Sequence, residues 1–261
     1  MAHADSPVLL RREGAVAWLV LNRPGSHNAL DVPTAQAFHA CCSELSADPG
    51  VRAVVVKGEG KSFGVGGDLA SMRSDAPATA MALIEPLHAS IRMLAALDAP
   101  VIASLRGNVA GGSMSLAMAC DLAIAADDAR FNLAYINVGA SCDLSGSWHL
   151  PRLVGLRNAM AISLLGDSLD AQEALRLGLV NRVVPAAELD AATDELASRL
   201  AAGPTLAYGR MKRLMRQSFD NELPAQLDAE RDNFRASAAT EDFREALEAF
   251  FGKRKPRFVG R

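Results

Sequence analysis

Two glycine-rich stretches carry the clearest chemical signal in this 261-residue chain: Ser62-Phe63-Gly64-Val65-Gly66-Gly67-Asp68 and Gly107-Asn108-Val109-Ala110-Gly111-Gly112-Ser113. Each follows a short apolar run, and the second leads into a helical pattern. Without a Cβ, backbone N–H groups can come close to a ligand, and a helix N-terminus adds a partial positive charge. Two such N–H groups aimed at one oxygen form an oxyanion hole. Glycine also serves tight turns and close strand–helix packing, so at this level both readings stay open. Neither stretch fits G-x-G-x-x-G or the P-loop pattern, which argues against a nucleotide-phosphate site.

The polar residues around these stretches read first as packing. Ser115, in Gly112-Ser113-Met114-Ser115, lacks the G-x-S-x-G elbow that would expose a serine nucleophile. Cys142 offers a thiol, yet free cysteine usually behaves as a small buried hydrophobe. His149 sits in the helical run Trp148-His149-Leu150 and reads as structural or pocket-lining. The five histidines and the four cysteines (Cys41, Cys42, Cys120, Cys142) show no metal-ligand spacing and no C-x-x-C. No metal site and no disulfide framework are predicted.

The elements that must position these groups alternate along the first half of the chain. Ala15-Val16-Ala17-Trp18-Leu19-Val20-Leu21 reads as a buried strand ended by the turn signal Asn22-Arg23-Pro24-Gly25. A helix follows, with Asp31 as a cap, Phe38, Cys41, Cys42 and Leu45 on one face, and Pro49-Gly50 as the stop. Residues 51–56 read as a strand, 81–97 as a helix, 101–105 as a strand, 112–119 as a helix and 121–125 as a strand. Strands separated by helices favour parallel pairing through crossovers, so the class is α/β. From Pro151 onward the pattern is mainly helical, with one apolar stripe at Leu189, Ala192, Leu196 and Leu200 and another at Phe243, Leu247 and Phe250.

Composition removes several classes of function. Half the residues are hydrophobic and 22% are charged, which is the mix of a globular chain and not of a disordered or fibrous one. Lys and Arg number 27 against 30 Asp and Glu, so no basic excess points to nucleic acid. The longest charge-free stretch, 107–120, falls short of the ~20 residues of a membrane span. The opening residues Met1-Ala2-His3-Ala4-Asp5 lack the pattern of a signal peptide, so a cytoplasmic location is expected.

Several motifs occur together in the order of one known family. They are Asn22-Arg23-Pro24 with Asn28-Ala29-Leu30, the Phe63/Gly66/Asp68 run, Pro100-Val101-Ile102-Ala103 through Gly111-Gly112, Ala119-Cys120-Asp121-Leu122, and Leu150-Pro151-Arg152-Leu153-Val154-Gly155. In this the chain resembles the enoyl-CoA hydratase/isomerase (crotonase) superfamily, and the resemblance runs on to Lys253-Arg254-Lys255-Pro256. It implies a spiral of β-β-α units over residues 1–200, and a helical C-terminal trimerisation region over 201–261. It implies acyl-CoA thioesters as ligands, with coenzyme A part of the substrate and no separate cofactor. Gly67 and Gly112 would then supply the two N–H groups that hold the thioester oxygen. Gly25, Ala29 and Gly66 fall at family positions along the coenzyme A path, and Phe250 and Lys253 match C-terminal residues that reach it. A trimer or dimer of trimers is expected.

The resemblance also locates a departure. Hydratases of the superfamily use two glutamates, and the matching positions here hold Ser115 and Tyr135. Asp143 lies eight residues after Tyr135, where dienoyl-CoA isomerases and the ring-epoxide isomerase of phenylacetate breakdown carry an aspartate; Trp148 and the Leu227-Asp228-Ala229-Glu230-Arg231-Asp232 segment resemble the latter too. One carboxylate can take a proton from one carbon and return it to another without water. Asp143 is therefore the expected proton carrier, and a helix cap for 145–153 is its bland alternative. Ser115, Tyr135 and Trp148 are expected around the acyl group. The expected activity is that of an acyl-CoA isomerase; an atypical hydratase, a thioester hydrolase and a silent acyl-CoA binder are the alternatives.

Overall fold

The chain opens with a hairpin of which the apolar pattern predicts only one arm. In the computed structural model, which describes residues 6–261, β1 (Val8–Glu13) pairs antiparallel with β2 (Val16–Leu21). Segment 1–5, which carries the expectation about a leader, lies outside the described residues. Gly14, at φ +60°, makes the turn between the arms. All of β2 is buried, whereas Arg11, Arg12 and Glu13 of β1 are exposed, as suits an edge strand.

After the hairpin the strands pair in parallel, except that Arg130–Asn132 runs antiparallel to Leu169–Asp170. The elements are α1 (Val32–Ala47), β3 (Ala53–Gly58), α2 (Ala76–Ala96), β4 (Val101–Leu105), β5 (Asn108–Ala110), α3 (Gly112–Ala119), β6 (Leu122–Ala126), β7 (Arg130–Asn132), α4 (Gly146–Leu165), β8 (Leu169–Asp170), α5 (Ala171–Leu177), β9 (Arg182–Val184) and α6 (Leu189–Ala201). Three further helices close the chain: α7 (Thr205–Gln217), α8 (Leu223–Ala238) and α9 (Glu241–Phe251). A six-stranded sheet runs β1-β2-β3-β4-β6-β9 and a three-stranded sheet runs β5-β7-β8. The chain steps from the large sheet to the small one in β4–β5 and again in β6–β7, with β4 parallel to β6 and β5 parallel to β7. That repeated step is the β-β-α spiral of the crotonase fold.

The period-2 alternation of the strands explains how one sheet serves two cores. Ala17, Leu19, Leu21, Val54, Val56, Val101, Ala103 and Leu105 face α1, α2 and α3, while Val16, Trp18, Val20, Ala53, Val55 and Ile102 face Ala197 and Ala201 of α6. Asp31 caps α1 as predicted, accepting from the Thr34 N–H at 2.9 Å. α2 begins at Ala76 under an Asp75 cap, ahead of the start at 81 that its apolar stripe indicates. α4 changes direction at Gly155, whose φ of +75° and ψ of 155° break the helical path. No helix among the described residues is long and apolar enough to cross a membrane.

Candidate active site

Successive turns of the spiral bring the two glycine stretches together. Beyond β3, Gly64 bridges Val109 of β5, and Gly67 bridges Leu30. The Leu30 N–H donates to the Gly66 carbonyl and the Asp68 N–H donates to the Leu30 carbonyl, both at 2.8 Å. That bridge uses the flanking peptides, so the Gly67 N–H points to the other side. Gly112 is the first residue of α3, where a backbone N–H has no acceptor within its helix. Among the described residues neither N–H is donated to a protein acceptor, and Gly67 and Gly112 line one cavity of about 390 Å³.

Gly66 makes this approach sterically feasible. It has φ +86°, and a Cβ there would lie 3.0 Å from the Gly112 nitrogen and 3.1 Å from the Ala110 carbonyl oxygen. Its own N–H donates to Ser113 Oγ at 3.1 Å, tying one stretch to the other. The Asn22-Arg23-Pro24/Asn28-Ala29-Leu30 motif clamps the loop from behind. Asn28, buried and at φ +56°, donates to the Glu59 and Ser62 carbonyls and accepts from the Arg23 N–H. The Arg23 guanidinium reaches the Ala29 carbonyl at 2.5 Å, Asp31 at 3.0 Å and Asp68 at 3.4 Å.

Asp143 arrives beside Gly112 on the loop between β7 and α4. A Cβ on Gly112 would sit 3.7 Å from Asp143 Oδ1 and 3.6 Å from the Tyr135 hydroxyl, so carboxylate and phenol stand beside the start of α3. The Tyr135 hydroxyl donates to Asp143 Oδ1. Ser115 Oγ lies 3.1 Å from the same phenolic oxygen. Because Tyr135 has a single proton and gives it to Asp143, Ser115 must be the donor of that second bond. Burial pushes the Asp143 carboxyl above the ordinary range, opposed by the Tyr135 bond. Burial and then the Asp143 charge push the Tyr135 phenol up, which keeps it a donor at neutral pH.

The bland reading of Asp143 does not hold. Ser145, at φ +66°, is the N-cap of α4 and makes no side-chain cap bond; the Asp143 carboxylate is turned to Tyr135. Cys142 lines the cavity together with Tyr135, Asp143 and His88, amid an apolar wall that includes Leu30, Val65, Met72, Leu83 and Ile84. Sequence reasoning missed His88. Its signal is helical spacing, one turn beyond Ile84 on the α2 face that meets the cavity.

Seven expected residues, Gly25, Ala29, Gly66, Ser115, Trp148, Phe250 and Lys253, fall outside the cavity lining. Ser115 is fully buried behind Tyr135 and touches the site only through it. Trp148 is not brought to Asp143: α4 starts at Gly146, and the Trp148 ring stacks on the Arg152 guanidinium, 4.0 Å away, in a separate cavity of about 510 Å³. Phe250 is 77% exposed near the C-terminal end of α9, and Lys253 follows it into solvent. Along the expected coenzyme path, Gly25 is exposed in a turn at 24–26, Ala29 is buried beside Leu30, and Gly66 lies behind Gly67.

A family model described as enoyl-CoA hydratase/isomerase matches residues 11–261. The chain is 34% identical over 258 residues to the 1,2-epoxyphenylacetyl-CoA isomerase of Escherichia coli, covering 97% of this chain and 98% of that protein. It is 32% identical to the crotonyl-CoA hydratase of Syntrophomonas wolfei, over 97% of this chain and 98% of that one. The crystal structure of an enoyl-CoA hydratase from Polaromonas superposes with a TM-score of 0.91 at 34% identity, covering 96% of this chain and 99% of that one. With the spiral, the paired glycine N–H groups and these matches in agreement along almost the whole length, the chain belongs to the enoyl-CoA hydratase/isomerase family.

Proposed function

We propose that this chain is an acyl-CoA isomerase that moves a double bond, or rearranges a ring epoxide, with Asp143 as its one proton carrier. The observation that carries this reading is the lining of the cavity: among the described residues Asp143 is its one carboxylate, and it shares that lining with the two glycines whose N–H groups are unspent. The thioester oxygen sits between the Gly67 and Gly112 N–H groups. The Asp143 carboxylate removes a proton from the acyl carbon chain, and the electron pair moves into the carbonyl to give an enolate whose O⁻ those donors stabilise. Asp143, now a carboxylic acid, returns the proton to a different carbon; no water is consumed. Tyr135 holds the carboxylate by a hydrogen bond, and the apolar wall takes the acyl group.

Hydration, the activity in several relatives' names, needs water activated and delivered by a pair of groups, and Ser115 and Tyr135 stand where the resemblance implies that pair. Coenzyme A runs past Gly25, Ala29 and Gly66, with Phe250 and Lys253 reaching it in an assembly of several chains. The exposed apolar residues of α4, α8 and α9, such as Leu164, Leu165, Phe234 and Phe251, support a trimer or a dimer of trimers. Residues 1–200 form the catalytic spiral and 201–261 the assembling region of a cytoplasmic enzyme. Light scattering of the full chain at micromolar concentration reads the assembly, and a monomer rules it out.

A panel of acyl-CoA thioesters followed by proton NMR in D₂O tests the chemistry. Isomerisation relocates the double bond, with deuterium on a skeletal carbon to the extent that the Asp143 carboxyl exchanges its proton with solvent. A hydroxyacyl product means hydration, free coenzyme A means hydrolysis, and unchanged thioesters mean a binder; each overturns the isomerase reading.

A further inference from the structure

We propose that His88 is a positioning residue: its neutral imidazole fixes the backbone beneath Asp143 and so sets where the carboxylate points. The proposal rests on the reading of Asp143 as proton carrier. Asp143 is mounted at two points. Its carboxylate is held by Tyr135, and the peptide on its C-terminal side is held by His88, whose Nε2 accepts the Leu144 N–H at 3.1 Å. That peptide needs holding. Leu144 and Ser145 stand at φ +47° and +66°, two successive left-handed residues of which neither is glycine, and the Leu144 side chain is fully buried. His88 lies on α2, a helix of 21 residues whose Leu83 and Ile84 also line the cavity, so the anchor is rigid while the loop it holds is not regular structure.

The bond also assigns the ring's protonation. A neutral imidazole has one donor and one acceptor nitrogen, so a ring that accepts at Nε2 carries its proton on Nδ1. His88 therefore acts as an acceptor for the backbone and performs no proton transfer of its own. Releasing the Leu144 amide leaves the carboxylate pivoting on Tyr135, and a displacement of about 1 Å in a reacting group costs on the order of 10²-fold in rate.

The test uses the full chain. Nitrogen NMR of histidine-labelled protein is expected to show His88 as the Nδ1–H tautomer; a proton on Nε2 overturns the proposal. On a substrate found by the thioester panel, His88→Ala is expected to lose on the order of 10²-fold in kcat with KM within a few-fold of the parent. His88→Gln, which keeps an uncharged acceptor at similar reach, recovers most of that loss. An unchanged kcat in His88→Ala, a loss confined to KM, or a folded His88→Gln as poor as His88→Ala each overturns it. The Asp143 carboxyl carbon resonance, which is expected to move in His88→Ala and return in His88→Gln, reads the same positioning without turnover; if it stays fixed, His88 does not position Asp143. Failure of the proton-carrier reading shows separately, as full turnover in Asp143→Asn.

Discussion

Two cavities among the described residues make a contrast, and in the larger of the two the Lys212, Arg216 and Asp121 charges are already paired. In the cavity of about 510 Å³ between α4 and α7, the Lys212 ammonium donates to Asp121 at 2.7 Å and to the Leu97 and Ala99 carbonyls at 2.9 and 2.8 Å. Arg216 adds a second bond to Asp121 and one to the Ala95 carbonyl, and Asp121 also accepts the Val101 N–H. All three ammonium protons are used. Burial pushes the Lys212 ammonium below its ordinary range, with Asp121 opposing that, as expected of a staple between α7 and the start of β4. Around Asp143, by contrast, one phenol serves the carboxylate and two backbone N–H groups are left unspent. Free backbone N–H donors beside a carboxylate set the Asp143 cavity apart; the larger cavity also holds an unpartnered donor, Arg152 Nε, but it belongs to a guanidinium.

The strongest way to break that contrast is Asp143→Asn. Asparagine keeps the size and can still accept from Tyr135, but it cannot take and return a proton. The kcat is expected to fall by roughly 10²–10⁴ with acyl-CoA binding near that of the parent. Because burial raises the folded Asp143 pKa, the active carboxylate forms only above the ordinary aspartate range, and kcat/KM should rise with pH through that displaced limb. The stability sign is the reverse of a salt-bridged aspartate. The folded state holds the proton more tightly than the unfolded one, so Asp143 weakens the fold above its folded pKa and this penalty fades as pH falls. Asp143→Asn should therefore have the higher Tm at neutral pH, with the gap closing in acid. A variant that turns over normally removes Asp143 from the mechanism.

Gly112→Pro is next in size. Proline is tolerated at the first position of a helix, where its missing N–H breaks no internal bond, and a Cβ at Gly112 meets its neighbours at 3.6–3.7 Å, ordinary contact distances. The substitution thus removes one proposed oxyanion donor from a fold that can accept it. Loss of about 10²–10³ in kcat is expected, and full turnover in a folded variant would refute the oxyanion assignment.

What the sequence revealed divides along the same line. Strand β4 was legible to the residue because all of Val101–Leu105 is buried and apolar, and the glycine stretches were legible because a close backbone approach restricts residue choice. Strands β5, β7, β8 and β9 are two or three residues long, too short for a period-2 pattern to stand out, and β1 hides behind its charged edge. The carboxylate's placement was half legible. Asp143 could be read as a cap because it precedes a helix, and only the 3-10 turn at Tyr135–Val138 and the loop after it show the side chain turned back to Tyr135. Trp148 was misplaced for a related reason: periodicity predicts a helix there but not which of two cavities its third residue faces.

The staple supplies the third test. Asp121→Asn leaves Lys212 and Arg216 without their countercharge in a largely buried setting, where removing one partner of an ion pair costs roughly 3–5 kcal/mol. Denaturant unfolding should register a loss near the lower end of that range, since Arg216 is partly exposed, while kcat of the folded enzyme stays close to that of the parent. A loss of turnover without a loss of stability would reverse the assignment of the two cavities.

The smallest effect separates the cavities by pH. His149 lies in the larger one with Nδ1 2.9 Å from Ser145 Oγ; burial, then the Arg216 charge, lowers its pKa from 6.5 to about 4. As pH falls below 6.5 the unfolded chain takes up this proton first, so the folded state loses stability progressively down to about 4 and no further below it. The interval from 6.5 to about 4 sets a ceiling of roughly 3 kcal/mol, which partial exposure and rearrangement of the arginines reduce. Asp143 acts in the opposite direction, since its penalty is relieved by acid. His149→Gln, which is neutral throughout, should therefore flatten the decline in stability between those two pH values, whereas Asp143→Asn should steepen the decline in acid. Parallel curves for the parent and His149→Gln would show that the larger cavity does not hold its histidine neutral by burial.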